Sequence, residues 1–369
     1  MNTVYYIIPT NVVGGAEKRL IELWAYLQQQ NTMHLKLVIS KDLIAPTNAN
    51  GVLQEIVNRY KDDVFYFDID PAAGVYAFQK KLYQYVCSIA GSSDVLHFII
   101  GFPSLILPLH HKKTVYTFTE SSLKNANLKG RIAYLLNILR AKHADILDPI
   151  LHKKISRLFF FKRSKIHLTP GSFVNHQLFT PAAEKENWFV FLGRFFAMKQ
   201  VLELLAAVPA VCKRIEDEGI RSPFKFIFIG FGHLENQMRE ILETEEYKNL
   251  PVAIISTQNP EQLLNRSKIF FSLQLNNNYP SKSLLEGMAA GNIPIVTDVG
   301  TTRMLAHPDF SYYVPEKFTP GDIADRVIEI LKLNPGEYHD KMTAARNFVI
   351  NNFSIDASAT YFKGIYNSF

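Results

Sequence analysis

The sequence predicts an α/β protein built from two doubly wound, parallel-sheet domains. Short apolar runs alternate with longer segments in which apolar residues recur at the helical period. Strands and helices in this alternation form a parallel sheet that is covered by helices on both faces. The chain has 369 residues, 47% of them hydrophobic, so it can form two domains of ~180 residues each, both with a sizeable core.

The N-terminal half is predicted to form the first domain, residues 1–183. Its apolar runs predict strands at residues 3–8, 34–40, 63–69, 94–100, 114–119 and 165–169. Helical periodicity predicts a helix that ends near Gln30, and further helices at 51–60 and 75–90. The polar stretch 181–187 is predicted to be the linker to the second domain.

The C-terminal half is predicted to form the second domain, residues 184–353. Strands are expected at residues 188–192, 224–230, 252–256, 269–275 and 293–299. Helices are expected up to about Glu218, from Leu234 onward, and at 281–290, 321–333 and 337–353. A last helical segment occupies residues 354–369.

The polar stretch 276–291 lies between two of these strands and contains the start of a helix. At a helix start the backbone N–H groups lack partners within the helix, and with the helix dipole they favour an anion such as phosphate. Here those groups belong to Lys282, Ser283 and Leu284, which follow Ser281. Glu286, one turn further on, can accept hydrogen bonds from sugar hydroxyls. An ordinary capped helix with an exposed glutamate gives the same pattern.

Two cations follow the first strand of the second half. Arg194 comes at the end of this strand, and Lys199 comes at the start of the next helix. Because helix N-termini disfavour cations, two of them at this place indicate a bound anion. A guanidinium can make two hydrogen bonds to a phosphate, and an ammonium adds a compact charge. The alternative is a pair of plain surface residues.

Glycine pairs occupy two predicted strand-to-helix turns. Gly14 and Gly15 follow the first strand, and Gly230 and Gly232 follow the second strand of the C-terminal half. Glycine lets a ligand approach the backbone closely. The first pair does not match the G-x-G-x-x-G fingerprint of dinucleotide-binding proteins. Both pairs also suit tight turns that need small residues.

These motifs resemble those of the GT-B glycosyltransferases, in particular the retaining glycosyltransferase family 4. The resemblance covers nearly the whole chain and is strongest from residue 188 to 305. In the family a Gly-Arg pair ends a strand and a lysine follows five residues after the arginine, as Arg194 and Lys199 do here. The family also has two glutamates eight positions apart. Glu286 matches the second, which binds the donor ribose, whereas Asn278 replaces the first.

The resemblance assigns roles residue by residue. In the family a histidine that contacts the sugar stands where this chain has Thr119, which Glu120 follows. The catalytic positions implied by the resemblance are Arg194, Lys199, Asn278, Thr119 and Glu120. The implied donor-binding positions are Gly14, Gly15, Gly230, Gly232, Thr257, Gln258, Ser281, Lys282, Ser283, Leu284 and Glu286.

The resemblance also implies a fold and a reaction. Two Rossmann-like domains face each other across a cleft, the acceptor on the side of the first and the donor on the second, and residues 354–369 cross back to the first. A sugar moves with retention from a nucleotide-diphosphate sugar to a glycan or lipid-linked acceptor, in surface polysaccharide biosynthesis. No metal and no other cofactor is expected, because Arg194 and Lys199 carry the charge that a cation would otherwise supply.

Two departures from the family pattern keep other functions open. Asn278 can still form hydrogen bonds but lacks the carboxylate charge, and Thr119 cannot carry a positive charge as histidine does. One alternative is a catalytically weak or inactive GT-B subunit that binds a nucleotide beside a partner. The other is a GT-B nucleotide-sugar epimerase, which uses water in place of a sugar acceptor.

Composition predicts the location and the partners. The two cysteines, Cys87 and Cys212, predict thiols in a reducing compartment, and the N-terminus lacks the basic region of a secretory signal, so a cytoplasmic protein is expected.

Segment 124–165 contains eleven Lys or Arg residues against two acidic ones, with Leu and Phe among them. Peripheral contact with an anionic membrane is one hypothesis for this segment. The alternative is a solvated helix whose Phe residues fill the core. No nucleic-acid partner is expected.

Overall fold

A computed structural model of the protein describes residues 3–10, 15–44, 51–68, 74–100, 113–118, 127–170, 172–277 and 279–369. The chain divides into two compact units. Met1–Gly171 and Ile355–Phe369 form the first, and Ser172–Ser354 form the second. Each unit has its own parallel sheet with helices on both faces.

The first unit contains, within the described residues, a sheet of seven parallel strands in the order β3-β2-β1-β4-β5-β6-β7. The strands are β1 Val4–Ile8, β2 Leu35–Ser40, β3 Val64–Phe67, β4 Val95–Ile100, β5 Thr114–Phe118, β6 His143–Ile146 and β7 Ile166–Leu168. The strand order reverses between β1 and β4, and ligands of such sheets bind in the crevice outside the carboxyl ends at this point.

Helices cover both faces of the first sheet. They are α1 Gly15–Gln29, α2 Gly51–Arg59, α3 Gly74–Ile89, α4 Leu128–Arg140 and α5 Pro149–Leu158. On one face Leu82 of α3, Ile138 of α4 and Ile155 of α5 join strand residues in a single apolar core. Trp24 and Leu27 of α1 are fully buried.

The described part of the second unit contains a sheet of six parallel strands in the order β10-β9-β8-β11-β12-β13. The strands are β8 Glu186–Leu192, β9 Phe224–Ile229, β10 Val252–Ile255, β11 Ser267–Ser272, β12 Ile293–Thr297 and β13 Tyr312–Val314. Counted within this unit the order is that of dinucleotide-binding sheets, and it reverses between β8 and β11.

The second sheet is also covered on both faces. Its helices are α6 Val201–Asp217, α7 Glu235–Leu242, α8 Glu261–Leu264, α9 Lys282–Ala289, α10 Pro320–Leu331 and α11 Pro335–Asn352. Helices α6, α7 and α10 pack on one face, and α8, α9 and α11 pack on the other, each set around its own apolar cluster. The predicted alternation of strands and helices is confirmed.

The C-terminal helix α12, Ile355–Tyr366, contributes side chains to the first unit. The Tyr361 hydroxyl donates a hydrogen bond to the fully buried carboxylate of Asp145. The Tyr366 hydroxyl donates to the hydroxyl of Tyr6 at 2.7 Å and lies 2.7 Å from Nδ1 of His97. The helix therefore completes the interior of a sheet whose strands lie far earlier in the chain.

The boundary between the units differs from the predicted one. The first unit ends at Gly171, before the predicted boundary at 183, and residues 172–183 pack in the second unit. Val174 and Phe179 are buried in the core of that unit. The N–H of Ala182 donates to the carbonyl of Asn265 at 2.8 Å. The prediction placed the boundary at the polar stretch 181–187, whereas the apolar side chains that precede this stretch determine where the segment packs.

Two strands were not predicted, β6 and β13. Strand β6 has four residues, among them a histidine and an aspartate, and β13 has three. Runs of three or four residues are too short to show the strand pattern. Both strands form because they pair with a longer neighbour that is already in the sheet.

Candidate functional site

The carboxyl end of β8 carries Arg194. The N–H of Gly193 donates to the carbonyl of Ile229 at 3.0 Å, and the N–H of Phe195 donates to the carbonyl of Phe231 at 2.8 Å. The side chain of Phe195 is fully buried, whereas Arg194 between these anchors is exposed. The arginine is therefore presented at the point where the strand order of the second sheet reverses.

Aromatic rings restrict where the Arg194 side chain lies. Its guanidinium carbon is 4.9 Å from the ring centroid of Phe196, a cation–π contact. The Phe196 ring is in turn 4.8 Å from the ring of His233. Stacking on one face leaves the edge N–H donors of the guanidinium available for an anion.

Lys199 ends a short 3₁₀ turn, Ala197–Lys199. The N–H of Leu275 donates to the carbonyl of Met198 at 3.1 Å, so this turn contacts the loop that follows β11. Burial, and secondly the nearby Arg194, lower the pKa of Lys199 to about 8. Neither Arg194 nor Lys199 forms an ion pair within the part of the chain that the structure describes. Two adjacent cations without an acidic partner favour an anionic ligand.

Helix α9 begins beside this loop, as predicted from the stretch 276–291. Ser281 is its N-cap, and the Ser281 hydroxyl accepts a hydrogen bond from the N–H of Leu284 at 3.4 Å. The Leu284 N–H is therefore used by the cap, which corrects its prediction as a free donor to a ligand. The ammonium of Lys282 lies 5.8 Å from the ring centroid of Phe173.

Glu286 is buried in the second turn of α9, with 8% of its surface exposed. The alternative of an exposed glutamate on an ordinary helix is therefore wrong. The next residue, Gly287, lies so close to β11 that a Cβ atom would be 2.5 Å from the ring of Phe270. This contact fixes the distance between helix and sheet, and with it the position of Glu286.

The loop between β11 and α9 is attached to the neighbouring loop after β12. The N–H of Gln274 donates to the Thr297 hydroxyl at 2.7 Å. The amide oxygen of Asn277 accepts hydrogen bonds from the N–H of Thr301 at 3.1 Å and from its hydroxyl at 2.8 Å. Asn277 and Thr301 were not predicted as a pair, because their contact joins loops on different strands and leaves no local pattern in the sequence.

The turn Gly230-Phe231-Gly232 follows β9, and no larger residue fits at either glycine. Their φ values are 150° and 157°. A Cβ atom on Gly230 would lie 1.9 Å from the carbonyl oxygen of Gly193, and one on Gly232 would lie 2.6 Å from that of Phe195. The turn is therefore closely packed against the loop of Arg194, and the Phe231 side chain is 65% exposed on it.

The carboxyl end of β10 is followed by Thr257 and Gln258, which were predicted to lie near the base of the nucleotide. The Thr257 hydroxyl accepts a hydrogen bond from the N–H of Asn259 at 3.1 Å, and Gln258 is exposed beside it. The N–H of Gly230 donates to the carbonyl of Ile255, the last residue of β10, at 3.0 Å. The loops after β8, β9, β10 and β11 thus converge at one edge of the second sheet.

Residues 176–347 match the family glycosyl transferases group 1. This segment contains Arg194, Lys199, Glu286 and the rest of the edge described above.

Solved structures similar to the whole chain are GT-B glycosyltransferases. A glycosyltransferase from Rickettsia africae is 18% identical, with a TM-score of 0.73 over 100% of this chain and 98% of the other. HepE from Anabaena, solved with UDP-glucose, is 11% identical, with a TM-score of 0.76 over 100% of both chains. TarM from S. aureus, solved as a variant with fondaparinux, α-GlcNAc-glycerol and UDP, is 11% identical, with a TM-score of 0.73 over 100% of both chains. A search of curated protein sequences gave no match.

These similarities confirm the predicted GT-B fold, and the family match supports glycosyl transfer in general. The stereochemistry, the acceptor and the location of the protein stay predictions.

Several predicted site positions of this GT-B protein lie outside the described residues. These are Gly14, Thr119, Glu120 and Asn278. Gly15 begins α1 in the first unit. In the described ranges no group of His, Cys, Asp or Glu residues has the arrangement of a metal site, and no helix there is long and apolar enough to cross a bilayer.

Proposed function

We propose that the protein is a retaining glycosyltransferase that transfers a hexose from a nucleotide-diphosphate sugar. One observation carries the proposal. Arg194 and Lys199, two neighbouring cations without acidic partners, lie at the reversal point of the second sheet, beside the start of α9 and its buried Glu286. A diphosphate fits the cations, and a ribose hydroxyl fits the carboxylate.

The two cations act on the leaving group. As the bond between sugar and diphosphate breaks, negative charge grows on the diphosphate oxygens. Fixed cations stabilise that charge more in the transition state than in the ground state. Burial has already removed part of the water around Lys199, so its charge acts through a poorly screening medium. We propose that no metal is needed, because these groups supply the positive charge.

The remaining predicted positions keep their proposed roles. Gly15 and Gly14 would face the donor phosphates, and Thr119, Glu120 and Asn278 would contact the transferred sugar. The other donor contacts would come from Ser281, Lys282, Ser283 and the loop at Thr257 and Gln258. Leu284 would contribute apolar packing, because its N–H is bound by Ser281.

We propose a glycan or lipid-linked acceptor, and a role in surface polysaccharide biosynthesis on the inner face of the membrane. The solved TarM variant, a structural neighbour, holds UDP together with α-GlcNAc-glycerol and fondaparinux. This supports an acceptor of that chemical class. A lipid-linked acceptor would keep the enzyme at the membrane as a peripheral protein.

A nucleotide-binding subunit with little or no activity is the second candidate. It is favoured by Asn278, which replaces a carboxylate, and by Thr119, which replaces a histidine. Loss of one charge-assisted hydrogen bond costs about 1.5–3 kcal/mol when nothing replaces it. Turnover of a nucleotide sugar that depends on an acceptor would exclude both this candidate and the epimerase.

The first experiment is a thermal-shift titration with UDP, GDP, ADP and CMP. A nucleotide at about 100 times its Kd stabilises the folded protein by ~2.7 kcal/mol, which gives a clear shift of the melting temperature. We expect one nucleotide to stabilise the wild type. In Arg194→Ala its Kd should rise about 10- to 150-fold, which corresponds to a lost charge-assisted hydrogen bond.

Arg221→Ala is the matched control. Arg221 is also exposed in the second unit, but it precedes β9 and so lies toward the opposite, amino edge of the sheet. The Arg221→Ala variant should retain the full nucleotide-induced shift of the melting temperature. No shift of the wild type with any nucleotide, or an equal loss in both variants, would contradict the proposed donor site.

A further inference from the structure

One surface of the first unit combines exposed apolar and basic side chains. We call it the basic apolar face, formed by α4, α5 and the 3₁₀ segment Phe160–Lys165. Its exposed large apolar residues are Leu128, Ile132, Leu139, Ile150, Leu158, Phe160 and Phe161. Phe160 is 76% exposed and Phe161 is 67% exposed. Of the three phenylalanines at 159–161 only Phe159 is buried in the core, so the alternative that the Phe residues fill the core holds for Phe159 alone.

The apolar residues of α4 form a stripe. Leu128, Ile132 and Leu139 are separated by four and seven residues, so they lie on one side of the helix. Arg131 and Arg140 are exposed beside this stripe. The opposite side of the helix, with Tyr134 and Ile138, is buried against the sheet. The helix thus has one apolar side in the core and a second one in contact with solvent.

The charges on this face have one sign. Its exposed basic residues are Lys129, Arg131, Arg140, Lys142, Lys153, Lys154, Arg157 and Arg163. The two acidic residues of the segment, Asp145 and Asp148, are buried at 0% and 2% exposure. Asp148 accepts a hydrogen bond from the N–H of Leu151 as the N-cap of α5. Within residues 127–165 no acidic side chain is therefore exposed among these cations.

Lys162 joins the two parts of the face. Its ammonium group donates hydrogen bonds to the carbonyls of Ile138 at 2.7 Å and Leu139 at 2.8 Å, and to that of Ala141. These carbonyls are at the C-terminal end of α4, where a cation is favoured. Lys162 thereby holds the segment of Phe160 and Phe161 against α4, so the phenylalanine pair and the stripe belong to one surface.

We propose that the basic apolar face binds the surface of a bilayer that contains anionic lipids. The apolar side chains would enter the boundary between headgroups and acyl chains, and the cations would contact the headgroup phosphates. A nucleic acid would satisfy the cations, but it would leave the aliphatic stripe of α4 in water. This membrane contact extends the proposed lipid-linked acceptor, yet it rests on this surface alone and not on the donor site.

The test is co-sedimentation of the full chain with vesicles of phosphatidylcholine, with and without phosphatidylglycerol. We expect binding to the anionic vesicles that is lost at high salt. The double variant Phe160→Ser and Phe161→Ser should bind them at least ~10-fold more weakly. Because each cation near the surface contributes about fivefold in affinity, Lys153→Glu with Lys154→Glu should weaken binding by ~30-fold or more.

Matched controls come from α3 of the same unit. Tyr76 is 81% exposed, and Tyr76→Ser is the control for the double phenylalanine variant. The lysines at 80 and 81 are also exposed, and Lys80→Glu with Lys81→Glu is the control for the charge reversal. These variants should bind like the wild type. A Phe161→Trp variant, which keeps an aromatic ring, should show a blue shift of its fluorescence on binding.

Three results would overturn the inference. They are equal binding to vesicles with and without phosphatidylglycerol, unchanged binding by the double phenylalanine variant, and no blue shift of the tryptophan. Binding to duplex DNA that equals vesicle binding and is unaffected by the phenylalanine changes would assign the face to nucleic acid. Nucleotide binding at Arg194 is measured separately, so either proposal can fail without the other.

Discussion

Lys199 is half-buried beside Arg194, and this position determines when it is charged. Burial and the neighbouring guanidinium lower its pKa to about 8, against ~10.4 for a free lysine. At pH values between these two pKa values, Lys199 is protonated in the unfolded chain but largely neutral in the folded, unliganded protein. Its contribution to the stability of the unliganded protein therefore becomes more favourable as pH rises. A bound diphosphate has the opposite effect, because it favours the protonated ammonium.

Nucleotide affinity should therefore depend on pH through Lys199. The Kd should be lowest below about pH 8 and should rise above it, as the lysine loses its proton before the ligand binds. Lys199→Arg should remove the dependence, because arginine stays charged throughout this range. Calorimetric titration of the wild type and of Lys199→Arg with the nucleotide, repeated at several pH values on both sides of pH 8, measures the two Kd profiles. A Kd of the wild type that stays constant through pH 8 to 10 would mean that Lys199 does not contact the phosphates.

At the scale of an element, the position of α9 is set by its contact with β11. Four of its eight residues are apolar and buried, namely Leu284, Leu285, Met288 and Ala289. The C-terminal end of the helix is fixed by hydrogen bonds from two cationic side chains. The Lys185 ammonium donates to the carbonyl of Ala290 at 2.6 Å, and the Arg346 guanidinium donates to that of Ala289. The helix that presents the donor motif is thus fixed along its length.

Gly287→Ala should destabilise the second unit. Its Cβ would lie 2.5 Å from the Phe270 ring, so helix and strand would have to separate, at a cost of about 1–3 kcal/mol. Because Glu286 would move with the helix, nucleotide affinity should fall as well. Urea unfolding measures the first effect, and calorimetry measures the second.

Gly364→Ala is the control for this change. Gly364 lies within α12, and a Cβ there meets nothing within 4 Å. Alanine should stabilise this helix by up to ~1 kcal/mol, because it lacks the backbone freedom of glycine. Equal effects of the two substitutions would show that helix propensity, and not the contact with Phe270, determines the result.

At the scale of the whole molecule, the last helix completes the interior of the first unit. Asp145, fully buried in β6, accepts hydrogen bonds from the hydroxyls of Thr117, Thr169 and Tyr361. Tyr361 comes from the end of the chain, whereas the threonines come from the first half. A buried carboxylate needs such donors, because water cannot reach it.

Tyr361→Phe should destabilise the first unit by about 1.5–3 kcal/mol, because it removes a hydrogen bond to a charged group. Tyr76→Phe, which changes an 81% exposed tyrosine of the same unit, should have no measurable effect. Urea unfolding compares the two. A free energy of unfolding that is unchanged in Tyr361→Phe would mean that the remaining donors satisfy Asp145.

Local sequence determined most of the secondary structure and part of the site. The strand-helix alternation and the glycine turns follow from patterns within a few residues, because period and turn chemistry act locally. Short motifs that resemble those of the family assigned Arg194, Lys199 and Glu286 to the site. The tertiary structure decided which groups face which neighbours. It buried Glu286, joined Asn277 to Thr301, brought Tyr361 to Asp145, and left Phe160 exposed but Phe159 buried. Each of these outcomes depends on an element distant in sequence that covers one side of the residue, and no local pattern contains that information.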